Sequence, residues 1–274
     1  MKHKIITICL LFVAIFLSCK KEELGNFWNP GNVKTPLLSR ILTDNQCSNE
    51  YVYTDSNLIS QVKSQFDFTM NHYNSTGQLV TTEYYTNDDI LSSDNQVSTT
   101  AMNGSGLVTS ETGNKSGIIT YVYNDNAQLI RTTYALTSST SAEYSEFTYD
   151  SNNRIARQTM YWDNTASGYI DYSYDGNGNL IKEMLFNMPS TGVAELITTT
   201  TYTFDDKANP YKLLSGLRIP GINTNKNNIV KEINTIHLSQ DQGPDKVQTT
   251  ESAYQYNTLG YPISKNGNIS FVYV

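Results

Sequence analysis

An aromatic residue, one spacer, a second aromatic, then Asn or Asp, a short turn rich in Gly and Asn, and an aliphatic pair: this plan recurs along the chain and constrains its fold more than any other feature. It reads most plainly at Tyr121-Val122-Tyr123-Asn124-Asp125-Asn126-Ala127-Gln128-Leu129-Ile130, at Phe147 to Ile155 around Asp150, and at Tyr172 to Ile181 around Asp175. Asn124, Asp150 and Asp175 lie 26 and 25 residues apart. Weaker copies stand at Tyr51-Val52-Tyr53, Tyr73 to Val80, Met102 to Val108, Tyr202-Thr203-Phe204-Asp205 and Tyr254-Gln255-Tyr256-Asn257. The 52 residues from Asp205 to Asn257 leave room for one eroded unit.

Each unit predicts a β-hairpin. Aromatics two apart fall on one face of a strand, and the Asn or Asp closes the turn through its side chain. Gly or Asn then takes the left-handed position that a short hairpin loop demands. Segments such as Leu196-Ile197-Thr198-Thr199-Thr200-Thr201-Tyr202 have strand composition, and helical periodicity is nearly absent. Eight or nine units in series give an all-β fold, a long antiparallel meander of hairpins whose twist either closes it into a barrel or leaves an open, curved sheet.

The pattern at Tyr172 to Ile181 resembles the YD repeats of RHS-type proteins. Phe204-Asp205-Asp206-Lys207-Ala208-Asn209-Pro210-Tyr211 resembles a motif of uncharacterised Bacteroidetes-type lipoproteins described as having a porin-like β fold. Together these likenesses cover roughly residues 40 to 274. They imply a fold and a location, and no catalytic residues. An integral membrane barrel would need apolar side chains at every second position of its lipid-facing strands. Strands such as Gln158-Thr159-Met160-Tyr161 and Gln248-Thr249-Thr250-Glu251 carry polar groups on both faces and argue against it.

The N-terminus supplies an address. Met1-Lys2-His3-Lys4 precedes an apolar run from Ile5 to Leu17, too short for a comfortable membrane span, and a small residue then precedes Cys19. Residues 1–18 resemble a bacterial lipoprotein signal, in which the chain is cut before Cys19 and the thiol is lipidated, with Phe16 standing where Leu, Val or Ile is more usual. Lys20-Lys21-Glu22-Glu23 resembles the charged tract that directs Bacteroidetes-type lipoproteins to the outer face of the outer membrane; a solvated tether is the alternative reading. Residues 19–36, with two prolines and two glycines, read as anchor and flexible tether, in which Phe27 and Trp28 either dock on the domain or touch the membrane interface. Residues 37–274 then form one β-hairpin-repeat domain, long enough to bury roughly 70–75% of its unfolded surface.

Charge and chemistry narrow the function. Loss of Lys2 and Lys4 with the signal takes the formal net charge from −7 to −9, which argues against nucleic acid and against an electrostatic hold on anionic lipid. Cys9 leaves with the signal and Cys19 is consumed, so Cys47 stands alone and no disulfide framework exists. His72 and His237 have no neighbouring Cys or His, and no metal site or cofactor is expected. Asp175-Gly176-Asn177-Gly178-Asn179 resembles the opening of a calcium loop, but Leu180 and Phe186 occupy its sixth and twelfth positions. Asp88-Asp89 and Asp205-Asp206 read as solvated turn residues, and no Ser-His-Asp or Cys-His arrangement is legible, so no catalytic residue is named.

Two function classes follow. The first is a non-catalytic envelope lipoprotein held to the outer membrane through Cys19 and facing the exterior, whose tyrosines bind a glycan or a protein or serve a structural role. The second is an extracellular polysaccharide hydrolase. Cys19→Ala should abolish incorporation of labelled palmitate and membrane retention together, because acyl chains contribute about 0.8 kcal/mol per buried CH₂. Replacing Lys20, Lys21, Glu22 and Glu23 with Ala should leave labelling intact while shielding the protein from protease added to whole cells; equal digestion of both forms refutes the sorting role.

Overall fold

The computed structural model describes residues 36–86, 96–113, 117–135, 143–214, 219–238 and 243–274. The chain divides into two units, Met1–Thr35 and Pro36–Val274. Cys19, the Lys20 to Glu23 tract, Phe27, Trp28, Asp88 and Asp89 lie outside the described residues.

The described residues form nineteen strands in one antiparallel sheet. They are β1 (Leu38–Thr43), β2 (Gln46–Tyr53), β3 (Ile59–Ser64), β4 (Asp67–Tyr73), β5 (Leu79–Thr86), β6 (Gln96–Met102) and β7 (Val108–Gly113). Next come β8 (Gly117–Tyr123), β9 (Leu129–Ala135), β10 (Glu143–Tyr149), β11 (Ile155–Trp162), β12 (Thr165–Tyr174) and β13 (Leu180–Asn187). The series ends with β14 (Glu195–Phe204), β15 (Ile229–Ile236), β16 (Lys246–Glu251), β17 (Tyr254–Tyr256), β18 (Pro262–Lys265) and β19 (Ile269–Tyr273). Consecutive strands pair from β1 to β16 and from β17 to β19, and β19 pairs back onto β1. No ladder joins β16 to β17, so the meander is not closed by hydrogen bonds; its two end strands follow one another along the chain with only Ser252 and Ala253 between them.

Every second turn is the repeated one, which in a meander puts all of these turns on one rim. Position 0 is taken by Thr54, Asn74, Asn103, Asn124, Asp150, Asp175 and Asn257, counting along each unit from its turn residue. The N–H at position 0 donates to the C=O at +4, and the N–H at +3 donates back to the C=O at 0, all at 2.8–3.2 Å. At the six Asn or Asp turns, Oδ1 also accepts the N–H groups of +2 and +4 at 2.8–3.0 Å. The residue at +3 is left-handed throughout, with φ between 59° at Ala127 and 87° at Gly178. This is a type I turn closed by a left-handed residue, whose twist suits an antiparallel hairpin.

The turn also sets the register beyond it. Position −1 pairs with +5 and −2 with +7, which leaves +6 as an extra, bulged residue in every one of these hairpins. The carbonyl at +5, beside the bulge, accepts the hydroxyl of the tyrosine at −1 of the following hairpin. Tyr73 donates to Ile59 at 2.7 Å, Tyr149 to Leu129 at 2.9 Å and Tyr174 to Ile155 at 2.7 Å. Tyr53 to Leu38 and Tyr273 to Pro262, both at 2.7 Å, repeat the bond at the ends. Positions −3 and +5 meet on the inner face and make the core, with Tyr121, Leu129, Phe147, Ile155, Tyr172 and Leu180 all buried. A second cluster of Leu38, Ile41 and Phe271 sits where first and last strands pair.

Among the described residues, the gap after Asp205 holds no eroded hairpin. Asp205 and Asn228 occupy positions 0 and +4 of one turn: the Asp205 N–H donates to the Asn228 carbonyl at 3.1 Å, and the Asn228 N–H to Asp205 Oδ1 at 3.0 Å, although they are 23 apart in sequence. The intervening excursion includes short 3-10 helices at Pro210–Leu214 and Ile222–Thr224. Buried asparagines fasten it to the sheet: Asn179 Oδ1 accepts the N–H groups of Lys226 and Asn227, and the Leu180 N–H donates to Asn225 Oδ1 at 2.7 Å.

Asp175→Ala removes the acceptor of two backbone N–H groups and of the Asn179 side chain and should cost about 1–3 kcal/mol in chemical denaturation, whereas Asp175→Asn keeps an oxygen for the two backbone N–H groups and should cost less. Ala127→Gly relieves a left-handed alanine and should add up to about 1 kcal/mol. A neutral Asp175→Ala refutes the turn as the organising element.

Candidate functional site

Strand alternation gives the repeat two chemically distinct faces. On the inner face, the tyrosine at −3 of one hairpin meets an acceptor at +8 of the preceding one. Tyr202 donates to Glu183 Oε1 at 2.8 Å, Tyr172 to Gln158 Oε1 at 3.2 Å, and Tyr121 bonds the Glu111 carboxylate. Burial raises the Glu183 pKa; the Tyr202 hydroxyl partly offsets this, and the nearby Glu232 carboxylate adds to the rise. Burial likewise holds Tyr121, Tyr172 and Tyr202 protonated well above the ordinary tyrosine value.

The outer face carries a different set, repeated on adjacent hairpins. Arg131 lies over the Tyr144 ring at 4.6 Å and bonds Glu146, and Tyr144 stacks on Tyr161 at 4.5 Å with planes 10° apart. One hairpin further, Arg157 lies over Tyr169 at 3.9 Å, grips Asp171 through two bonds of 2.6 and 2.8 Å, and Tyr169 stacks on Phe186 at 4.5 Å. Both sets use the same places in the repeat: arginine at +7, then acid at −4 and aromatics at −6 and +11 of the next hairpin. The stacked rings are direct cross-strand partners. Phe68 and Tyr85 form a third such pair at 4.6 Å without the arginine. The hydrogen bond from Arg131 holds the Glu146 carboxyl below its ordinary range, and the bond to Asp171 raises Arg157. Trp162, 54% exposed, stands at the adjoining turn.

The residues singled out in the sequence fall into place as follows. Asp175 uses Oδ1 for the turn and Oδ2 for the Asn179 side chain at 2.9 Å, so the calcium-like segment is a hairpin turn. Asp205 is a turn residue bonded to Asn228 and to the Tyr256 hydroxyl, whereas Asp206 is exposed and pairs with Lys207 at 3.1 Å. They do not form a carboxylate pair. The Cys47 thiol is half-buried and lies 3.6 Å from the Asn49 carbonyl oxygen. His72 pairs with Glu83 at 3.4 Å. His237 bonds Thr199 at 2.9 Å and Asp245 at 2.7 Å, a grouping that spacings of 38 and 8 residues did not disclose. Among the described residues, no three His, Cys, Asp or Glu side chains come together as a metal site. The arginines at +7 were also missed; aligning units beyond their turns would have shown Arg131 and Arg157 26 residues apart.

No protein-family model and no curated protein matches the chain significantly. Among solved structures, it is similar to a porin-like protein from Bacteroides uniformis, at 15% identity and a TM-score of 0.47, over 86% of this chain and 96% of the other. A porin-like protein from Bacteroides vulgatus is similar at 9% identity and a TM-score of 0.36, over 87% and 99%. The TcdB2-TccC3 structure is similar at 11% identity and a TM-score of 0.29, over 82% of this chain and 14% of that one.

A carboxyl group with a raised folded pKa withdraws stability as pH climbs from its unfolded value, about 4.3 for glutamate, through its folded value. Glu183→Gln should therefore gain stability relative to wild type as pH rises through that window, because the glutamine does not ionise. Melting curves of the two proteins should diverge toward neutral pH; parallel curves would show that Glu183 ionises freely.

Proposed function

We propose that this chain is a non-catalytic envelope lipoprotein, anchored through Cys19 to the outer membrane and facing outward, whose domain binds an extended glycan or a protein through the outer face of β9 to β13. The observation that carries this reading is the arginine, acid and paired-aromatic set present twice, one hairpin apart. Two strand spacings separate equivalent groups by about 10 Å. Two linked hexopyranoses have a similar length, so a linear glycan crossing the strands meets the same groups at each step. Tyrosine supplies apolar area with a polar tip. Each guanidinium is already neutralised by its carboxylate, so attraction for a polyanion is small and binding should respond weakly to salt.

A glycan array probed with the purified chain should find modest binding that Tyr144→Ala with Tyr169→Ala lowers at least tenfold. Binding that survives this double variant while the β circular-dichroism signal is unchanged refutes the site. A second reading, polysaccharide hydrolysis, draws on Glu183, whose raised pKa suits a general acid, with Glu232 nearby. Turnover that disappears in Glu183→Gln would replace binding with hydrolysis.

A further inference from the structure

Thr199, His237 and Asp245 form a hydrogen-bonded chain on the outer face, beside β14, where β15 runs out and β16 begins. Thr199 Oγ1 lies 2.9 Å from His237 Nε2, and His237 Nδ1 lies 2.7 Å from Asp245 Oδ2. Asp245 is held in turn, its Oδ1 accepting the Leu238 N–H at 3.1 Å. The His237 backbone is fixed as well, through its N–H to the Ile197 carbonyl at 2.9 Å. The Leu238 N–H and the His237 ring together lower the Asp245 pKa, so Asp245 is an ionised carboxylate and only accepts. His237 Nδ1 must then carry the proton that is donated. In the neutral ring this leaves Nε2 as the acceptor, and the Thr199 hydroxyl donates to it. Nucleophile, base and orienting acid thus stand in the order, and with the tautomer, that activates a hydroxyl.

We propose that Thr199 is an activated nucleophile that accepts an acyl group from activated esters, with His237 as its base and Asp245 as a positioning residue. This activity goes beyond the binding reading and does not depend on it. In the reaction, Thr199 Oγ1 attacks the carbonyl carbon of an aryl ester while His237 Nε2 takes the hydroxyl proton. The bond from the carbonyl carbon to the aryl oxygen breaks, and the imidazolium returns the proton to the departing aryl oxide. The products are an acyl ester on Thr199 and a phenol. Thr199 pairs with Met184 on one side and Thr235 on the other, in the interior of the sheet. Its strand therefore offers no pair of free backbone N–H groups to hold an oxyanion, which restricts the donors to those with good leaving groups and the outcome to slow, single acylation.

The run from Thr198 to Thr201 contains its own control. Thr201 lies on the same face two residues on, and Thr200 Oγ1 accepts instead from Asn234 Nδ2 at 2.8 Å. The purified full chain would be incubated with p-nitrophenyl acetate and the acetylated positions located by peptide mass spectrometry. We expect acetylation of Thr199 at least tenfold above Thr201 in the wild type. His237→Gln should bring Thr199 down to the level of Thr201, Asp245→Asn should lower it, and Asp245→Glu should restore part. Equal labelling of Thr199 and Thr201 in the wild type overturns the proposal without reference to any variant, as does undiminished labelling in His237→Gln.

Discussion

One oxygen atom organises every repeated hairpin but the one at Thr54: the Oδ1 of an Asn or Asp that accepts two backbone N–H groups of its own turn. It satisfies donors that a five-residue turn otherwise leaves without partners and holds the left-handed residue at +3 in place. The register of the hairpin follows from the turn, and with it the bulge at +6. The +5 carbonyl beside that bulge then receives a tyrosine hydroxyl from the next unit. Local turn chemistry is thereby converted into a bond between neighbouring hairpins. Asp205 and Asn228 show how robust the device is, since the Asp205 N–H still reaches the Asn228 carbonyl and the Asn228 N–H still reaches Asp205 Oδ1 across a separation of 23 residues.

Because the bulge falls at the same place in each unit, inner and outer faces keep their identity from hairpin to hairpin. A register slip by one residue would exchange them. The inner face combines buried aromatics and aliphatics near the turn with tyrosine-to-glutamate or tyrosine-to-glutamine bonds further along, so phenolic hydroxyls are satisfied without opening the core. Chemistry placed at one position of one hairpin recurs about two strand spacings away when the next unit carries the same residue. The outer arginine sets arise in this way.

The ends of the sheet are handled separately. β1 and β19 zip together, with Leu37 and Val274 exchanging two backbone bonds of 3.0 Å. The remaining juncture, at β16 and β17, lies beside the excursion that opens the Asp205 turn: Tyr256 bonds Asp205, and the Ala208 N–H reaches the Gly260 carbonyl at 3.2 Å. β16 is exposed throughout and reads Lys246-Val247-Gln248-Thr249-Thr250-Glu251, a polar edge flanked by charges that discourages pairing with a stray strand.

The hairpin plan was legible in the sequence because everything that defines it lies within a few residues: aromatics two apart, an Asx turn, a left-handed residue and an aliphatic return. Alternation alone also put the two aromatics of each unit on one face of their strand; that Tyr121, Phe147 and Tyr172 share a buried face came from the folded sheet. What required the tertiary structure were contacts between strands that the turn does not encode. Arg157 meets Asp171 and Tyr169 only because the bulge advances β11 by one residue against β10. Thr199 meets His237 and Asp245 only because β15 lies beside β14 after a long excursion whose length hid the pairing. The excursion itself looked like an eroded repeat, since spacing counts residues while the turn bonds depend on how close two chain segments come. Local bonding repeats and can be read; proximity across strands depends on register, and register is set by the folded sheet.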